Sequence, residues 1–310
     1  MLAKNVPLSK YSNYKIGGNA SYFSEFKSKV DLEIALAEYK EIDPELKSVF
    51  VLGTGTNVLF RDTGYDGLIL KNEINGVRLE GNEIVVGSGT LMDELVSFAY
   101  ANSLSGFEWA GGLPGSVGGA IRGNAGAFGG EIKDNLTKVT SVNIKSLKTI
   151  TRENSECKFN YRQSVFKNEA TNEIILSASF SVVKGEKDEI KSKTQERIDY
   201  RIAKHPLEYP NIGSTFKNIP VEQVPSDVLE EFKNYVKDDP FPVLPVAKLI
   251  VTIGLMGKRV GDAEVSQKHP NFIVNLGGAK AKDVLALIQI VKEEINNKYR
   301  ISLEEEIMIL

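Results

Sequence analysis

Residues 109–130 read WAGGLPGSVGGAIRGNAGAFGG, and the fold is decided by how this stretch is interpreted. Nine of its 22 residues are glycine, and most side chains between them are small. Glycine loses more conformational freedom on folding than any other residue, so such a run weakens a fold unless backbone must pass close to something. A flexible linker would be rich in Ser and charge and free of large apolar groups, whereas Trp109, Ile121 and Phe128 are interleaved here. A stack of tight turns is the other ordinary reading. The apolar residues between the glycines favour a backbone cradle for a flat or phosphorylated ligand, with main-chain N–H groups as donors and no Cβ in the way.

Upstream, residues 30–40 (VDLEIALAEYK) carry the apolar spacing of an amphipathic helix, Asp43-Pro44 ends it, and residues 48–52 (SVFVL) read as a buried strand. That strand runs into Gly53-Thr54-Gly55-Thr56-Asn57. Residues 83–86 (EIVV) lead likewise into Gly87-Ser88-Gly89-Thr90 and then a helix over about 91–101. Both turns are expected to expose N–H groups where a strand ends. Val58 and Met92 occupy the third glycine position of G-x-G-x-x-G, which disfavours a Rossmann domain. Downstream, residues 139–183 are strand-rich and enclose FNYRQSVFK. A charged helix over 187–201 leads to HPLEYP, whose prolines, with the polar GSTFKN, mark a domain boundary. Residues 246–252 form a short apolar element, 271–275 (NFIVN) a strand and 282–296 an amphipathic helix.

A chain of 310 residues can bury a substantial core, and its length suggests two or three domains. The formal net charge is −3 with no dense basic block, which argues against a nucleic-acid or membrane-surface partner. Cys157 is the only cysteine, excluding an internal disulfide and a thiolate cluster, and is read as inert core. His205 and His269 are the only histidines, too few for a histidine-based metal site, so no metal is expected. The N-terminus lacks a signal-peptide apolar core, and no apolar run approaches ~18 residues, so neither export nor membrane insertion is expected. A cytoplasmic location is the plain reading.

Five separated motifs carry a more specific signal. LGTGTNVLFRD (52–62) and the glycine-rich run resemble the two flavin-contacting loops of the FAD-binding domain shared by vanillyl-alcohol-oxidase-like flavoproteins. With YRQSVFK (161–167), GSTFKN (213–218) and LEEEI (303–307), the chain resembles the UDP-N-acetylenolpyruvoylglucosamine reductase family of bacterial peptidoglycan precursor synthesis. The motifs keep the family's order from KIGG at Lys15 onward. Ile219 intervenes before Pro220 where the family has proline directly after the GSTFKN asparagine, and AKLIV (247–251) replaces a more usual A-W-L-I-E/D. The absence of an insertion between YRQSVFK and GSTFKN is similar to the shorter subtype, which lacks a loop whose tyrosine covers the bound substrate. The resemblance implies an α+β fold. A two-lobed FAD-binding domain (PCMH-type) would span residues 1–198, with lobes of about 1–70 and 71–198. A C-terminal α/β substrate-binding domain would follow over 199–302, then a strand over 303–310 returning a glutamate to the active site.

The resemblance implies noncovalent FAD, NADPH as co-substrate, and reduction of UDP-N-acetylglucosamine enolpyruvate to UDP-N-acetylmuramate. Cofactor-binding positions carried over are Gly53, Thr54, Gly55, Thr56, Asn57 and Val58, then Gly112, Pro114, Gly115, Ser116, Gly118, Gly119, Ala120, Asn124, Ala125 and Gly126. Hydride arriving at the vinyl carbon pushes negative charge toward the carboxylate. The site therefore needs a cationic or protonated group there and a proton donor above the adjacent carbon. Arg162 offers a permanently charged fork that matches a carboxylate; outside its motif it would read as a structural salt-bridge residue. Ser214 is the expected proton donor, although a serine beside glycine is ordinarily a turn residue. Among Glu304, Glu305 and Glu306, strand alternation puts the first and last on one face and Glu305 on the other, solvated one. The family's glutamate directly precedes a β-branched residue, which selects Glu306. Tyr161, Arg201, Lys204, Lys217, Asn218 and His269 are candidates to hold diphosphate, sugar and uridine, each with a surface or strand-edge role as the bland alternative. Two other functions compete with this one. Oxidases on this fold often tether flavin through His or Cys in the first half, but no His precedes position 205 and Cys157 lies outside the glycine run. A flavin- or nucleotide-binding sensor would keep the loops without needing Arg162, Ser214 and Glu306 together.

Overall fold

The computed structural model describes residues 1–310 and divides into two compact units that are not contiguous in sequence. The first comprises residues 1–6, 20–54 and 66–201; the second comprises 7–19, 55–65 and 202–310. The class is α+β, as the resemblance implies, with strands and helices mixed in each unit.

In the first unit, one sheet runs in the order Ala3–Pro7, Asn19–Phe26, Tyr65–Asn72, Val49–Leu52. The helix Lys29–Lys40 precedes its edge strand. Ser28 starts that helix by accepting a hydrogen bond from Asp31 N at 3.1 Å, which satisfies one of the otherwise orphaned first-turn amides. Leu32, Ala35, Leu36 and Tyr39 follow at helical spacing and are all buried, which is why the pattern in 30–40 folds as it does. Val49–Leu52 lies parallel to Tyr65–Asn72. A second, wholly antiparallel sheet runs Thr149–Glu153, Leu136–Asn143, Glu173–Ser181, Glu83–Gly87, Val77–Glu80. Met92–Ala101 and Val117–Arg122 contribute Leu95, Val96, Ala99, Ala120 and Ile121 to its core with Ile84, Val86, Val139 and Phe180. Another cluster joins the two sheets through Leu68, Leu70, Val142, Ile144 and Ile174.

In the second unit the helix Ala281–Tyr299 buries Val284, Leu287, Ile288, Val291 and Ile295. It shares a core with the antiparallel sheet Arg259–Val260, Ala263–Val265, Ile273–Asn275. The apolar element expected at 246–252 is a short helix, Val246–Thr252. Tyr14, Ile16 and Leu59 are buried in this same core, which is why residues 7–19 and 55–65 belong to it rather than to the unit that surrounds them in sequence. Tyr14 Oη donates to Ile273 O at 2.7 Å, and Asn275 Nδ2 donates to Tyr14 O at 3.0 Å. Residues 303–310 are not one strand: Glu305 bridges Phe216, the backbone bends at Glu306 and Ile307, and only Met308–Ile309 forms a strand, parallel to Val58–Leu59.

Candidate active site

The glycine-rich run is tight chiefly against its own unit. A Cβ on Gly130 would lie 2.4 Å from the Trp109 ring, one on Gly126 2.7 Å from Glu131, and one on Gly111 2.5 Å from Thr194 O. These glycines let protein pack on protein. Gly119 differs, because a Cβ there would meet only Ser116 Oγ at 3.4 Å and otherwise stand in open space. Ser116 begins the helix Val117–Arg122 and accepts from Gly119 N at 3.4 Å. Val117 N and Gly118 N already donate to Thr90 O and Ser88 O at 2.9 and 2.8 Å.

The second glycine turn is corrected outright. Gly87, Ser88, Gly89 and Thr90 donate their N–H groups to Gly76, Leu176, Ile74 and Gly87 carbonyls at 2.8–3.1 Å. It is a sealed structural corner with no exposed donors. Asn124 is held within the run. It is fully buried, its Nδ2 donates to Glu131 Oε1 and Asn160 O, and its Oδ1 accepts from Lys133 N, each at 3.2 Å. That side chain organises the run.

Gly53, Ser116, Gly118 and Gly119 converge on one cleft of about 140 Å³ within the first unit, also lined by Val49, Phe50, Val51, Arg122 and Glu173. The fit to FAD is supported by the open space beside Gly119, by Phe50 and the valines as an apolar wall, and by a guanidinium among the lining groups. In the same unit, YRQSVFK is folded by a tight turn in which Asn160 and Gln163 exchange backbone hydrogen bonds of 3.2 and 3.0 Å. Arg162 sits at its apex with φ 55°, a left-handed conformation costly for a long side chain. Its Nη2 donates to Gly126 O at 3.0 Å, tying the motif to the glycine run. Arg201 is 7% exposed, donates Nε–H to Gly111 O at 2.9 Å and stacks over Phe128. Its Nη2 is buried without a partner, and burial pulls its pKa down to about 10.

In the second unit, GSTFKN and LEEEI run side by side. Glu306 N donates to Thr215 O at 2.8 Å, and Lys217 N to Glu304 O at 3.0 Å. Asn57 Nδ2 holds Glu306 O at 3.1 Å, and Met308 N donates to Asn57 O at 2.9 Å. Ser214 and Glu306 thus flank one backbone pairing. Asn271, which no motif singled out, clamps that pairing: its Oδ1 accepts from Phe216 N and its Nδ2 donates to Phe216 O. The expectation for Glu305 is corrected in part, because it is only partly exposed and pairs with Lys292 Nζ at 2.9 Å. Glu304 is the exposed member of the three and pairs with the buried Lys217. Asn218 Oδ1 accepts from Val246 N at 3.3 Å at the start of a helix, and Lys204 is exposed. His269 packs edge-on against His205 and Phe272, its Nδ1 buried and unpartnered. Burial, aided by the charge of Lys237, pushes its pKa down to about 4, so at neutral pH it offers no charge to a diphosphate.

The chain is similar to known proteins over its whole length. The UDP-N-acetylenolpyruvoylglucosamine reductase of Clostridium novyi (strain NT) is 36% identical over 312 residues, spanning 100% of this chain and 92% of the relative. That of Carboxydothermus hydrogenoformans is 38% identical over 99% of this chain and 93% of its own length. The chain belongs to the UDP-N-acetylenolpyruvoylglucosamine reductase family. Residues 205–310 match the family's C-terminal domain and residues 35–147 match the FAD binding domain. The crystal structure of the family member from Thermus caldophilus superposes with a TM-score of 0.79 at 29% identity, covering 100% of this chain and 99% of that one. Like its family, the chain is a flavin oxidoreductase. No helix is long and apolar enough to cross a membrane.

Proposed function

We propose that the chain reduces UDP-N-acetylglucosamine enolpyruvate to UDP-N-acetylmuramate in the cytoplasm, with NADPH as electron source and FAD held noncovalently. Bound FAD, once reduced by NADPH, would supply the hydride for the vinyl carbon. Gly53, Ser116, Gly118 and Gly119 hold it in the cleft of the first unit. Ser214 Oγ delivers a proton to the carbon next to the carboxylate; a hydroxyl of high pKa suits a carbanion-like acceptor. Arg162 balances the charge that builds on the carboxylate. Glu306 acts protonated or hydrogen-bonded at that stage, since an ionised carboxylate would repel the developing charge. Residues 199–302 take the nucleotide sugar, with Tyr161, Arg201, Lys204, Lys217 and Asn218 as its polar partners. His269 contributes to this set as a neutral hydrogen-bonding group.

The observation that carries the reading is the 2.8 Å hydrogen bond from Glu306 N to Thr215 O, which keeps the two proposed acids, Ser214 and Glu306, on adjoining backbones of one unit. An anaerobic spectroscopic titration tests it. NADPH should bleach the flavin, and the enolpyruvyl nucleotide sugar should restore its colour. Ser214→Ala should leave the first half-reaction nearly intact while slowing the second by about 10²- to 10⁴-fold. Equal damage to both halves would make Ser214 a turn residue and remove the proposed acid.

A further inference from the structure

Arg122 is a cation of the first unit without a counter-charge. Every other arginine there has an acceptor: Arg78 has Glu80, Arg152 has Glu173, Arg162 has Gly126 O, Arg197 has Glu196 and Arg201 has Gly111 O. Arg122 ends the helix Val117–Arg122 and lines the cleft shared by Gly53 and Gly119. The residue is half-buried, and its guanidinium makes no hydrogen bond or ion pair. Burial alone lowers its pKa, with no neighbouring carboxylate to offset the loss of water. Glu173, the one acid lining the cleft, is already spent, since it takes Arg152 through both oxygens and accepts from Ser141 Oγ at 2.6 Å. A partly desolvated charge left alone is unfavourable, and an arriving anion converts that cost into attraction. Within FAD the fixed negative charge at neutral pH resides on the diphosphate.

We propose that Arg122 binds the diphosphate of FAD, a role that rests on the FAD reading of the cleft. Its fork can donate two parallel hydrogen bonds to phosphate oxygens, which a lysine ammonium cannot reproduce. The test uses the full chain stripped of flavin as wild type, Arg122→Met and Arg122→Lys. Each is titrated calorimetrically with FAD, ADP and riboflavin, and melted with and without FAD. Arg122→Met should bind FAD and ADP on the order of 10- to 100-fold more weakly, with Arg122→Lys between. Riboflavin, which has no phosphate, should bind all three proteins alike. Flavin-free Arg122→Met should melt no lower than wild type, because a half-buried unpaired charge has been removed and the stem volume kept. Unchanged FAD affinity in Arg122→Met beside a tightly binding wild type would overturn the role of Arg122 and leave the FAD reading standing. A wild type that binds neither FAD nor ADP would overturn both. Equal losses for riboflavin, or a flavin-free Arg122→Met that melts several degrees lower, would make the residue structural.

Discussion

Gly53 ends the strand Val49–Leu52, and a Cβ added there would lie 2.4 Å from Ser116 Oγ. That is roughly 1 Å inside ordinary van der Waals contact. Ser116 is 4% exposed and its Oγ caps Gly119 N, so it cannot swing aside without losing the cap. Overpacking of this kind costs about 1–3 kcal/mol, so Gly53→Ala should destabilise the flavin-free chain by that amount. The cap bond is long at 3.4 Å, which puts Ser116→Ala alone near the lower end of the usual range, about 0.5 kcal/mol. If the clash is the reason for glycine, the two changes compensate. The double variant should recover about 1–2 kcal/mol relative to the sum of the singles. Thermal unfolding of the four proteins reads this as a recovery of several degrees, since about 1 kcal/mol shifts a domain of this size by roughly 2–4 °C. Flavin content measured in parallel separates packing from binding: stability rescued without flavin means the cofactor also needs the bare backbone. Strictly additive losses would refute the steric argument.

The three C-terminal glutamates should separate by role. Glu306→Gln should slow flavin reoxidation on the order of 10³-fold or more with little change in substrate affinity. Glu305→Gln should leave the rate intact and cost at most about 1 kcal/mol through the Lys292 pair. A normal rate in Glu306→Gln stopped-flow traces would sink its catalytic assignment. For pH, His269 has a folded-state pKa of about 4 against an ordinary 6.5, so the unfolded chain binds the proton more readily between those values. Its contribution is complete above pH 6.5 and is lost as pH falls toward 4, by up to about 3 kcal/mol. His269→Gln should therefore flatten the acid limb of stability between pH 4 and 6.5 in denaturant titrations, and an unchanged limb would contradict the burial argument.

Local periodicity made the helices at 29–40 and 281–299 readable to within a few residues, because each buries its own apolar face wherever the rest of the chain goes. The motifs stand out as contiguous runs, and the family they resemble is the one the whole-chain matches show. What escaped was every property fixed by a distant partner. Gly87–Thr90 looked like a donor-bearing turn because nothing nearby reveals that residues 74, 76 and 176 take its N–H groups. Alternation assigned Glu305 to solvent, but Lys292 on a helix thirteen residues back reaches it. Nothing in the sequence singles out Arg122, since the lack of a counter-charge is visible only once all neighbours are in place. Nor does sequence distinguish a glycine that clears a ligand from one that clears Trp109, as Gly130 does.

The interrupted sequence of the second unit bears on the order in which the chain becomes a protein. Tyr14 finds its partner at Ile273, 259 residues later, so the segment 7–19 leaves the ribosome long before anything exists to bury it. The first unit, by contrast, has all its strands by residue 201, with 55–65 emerging as a loop still waiting for its core. Contacts this far apart form late, after the nearer ones have closed. Residues 7–19 and 55–65 are therefore the stretches a nascent chain exposes longest. Tyr14, Ile16 and Leu59 supply the apolar surface that a holding chaperone would recognise during that interval.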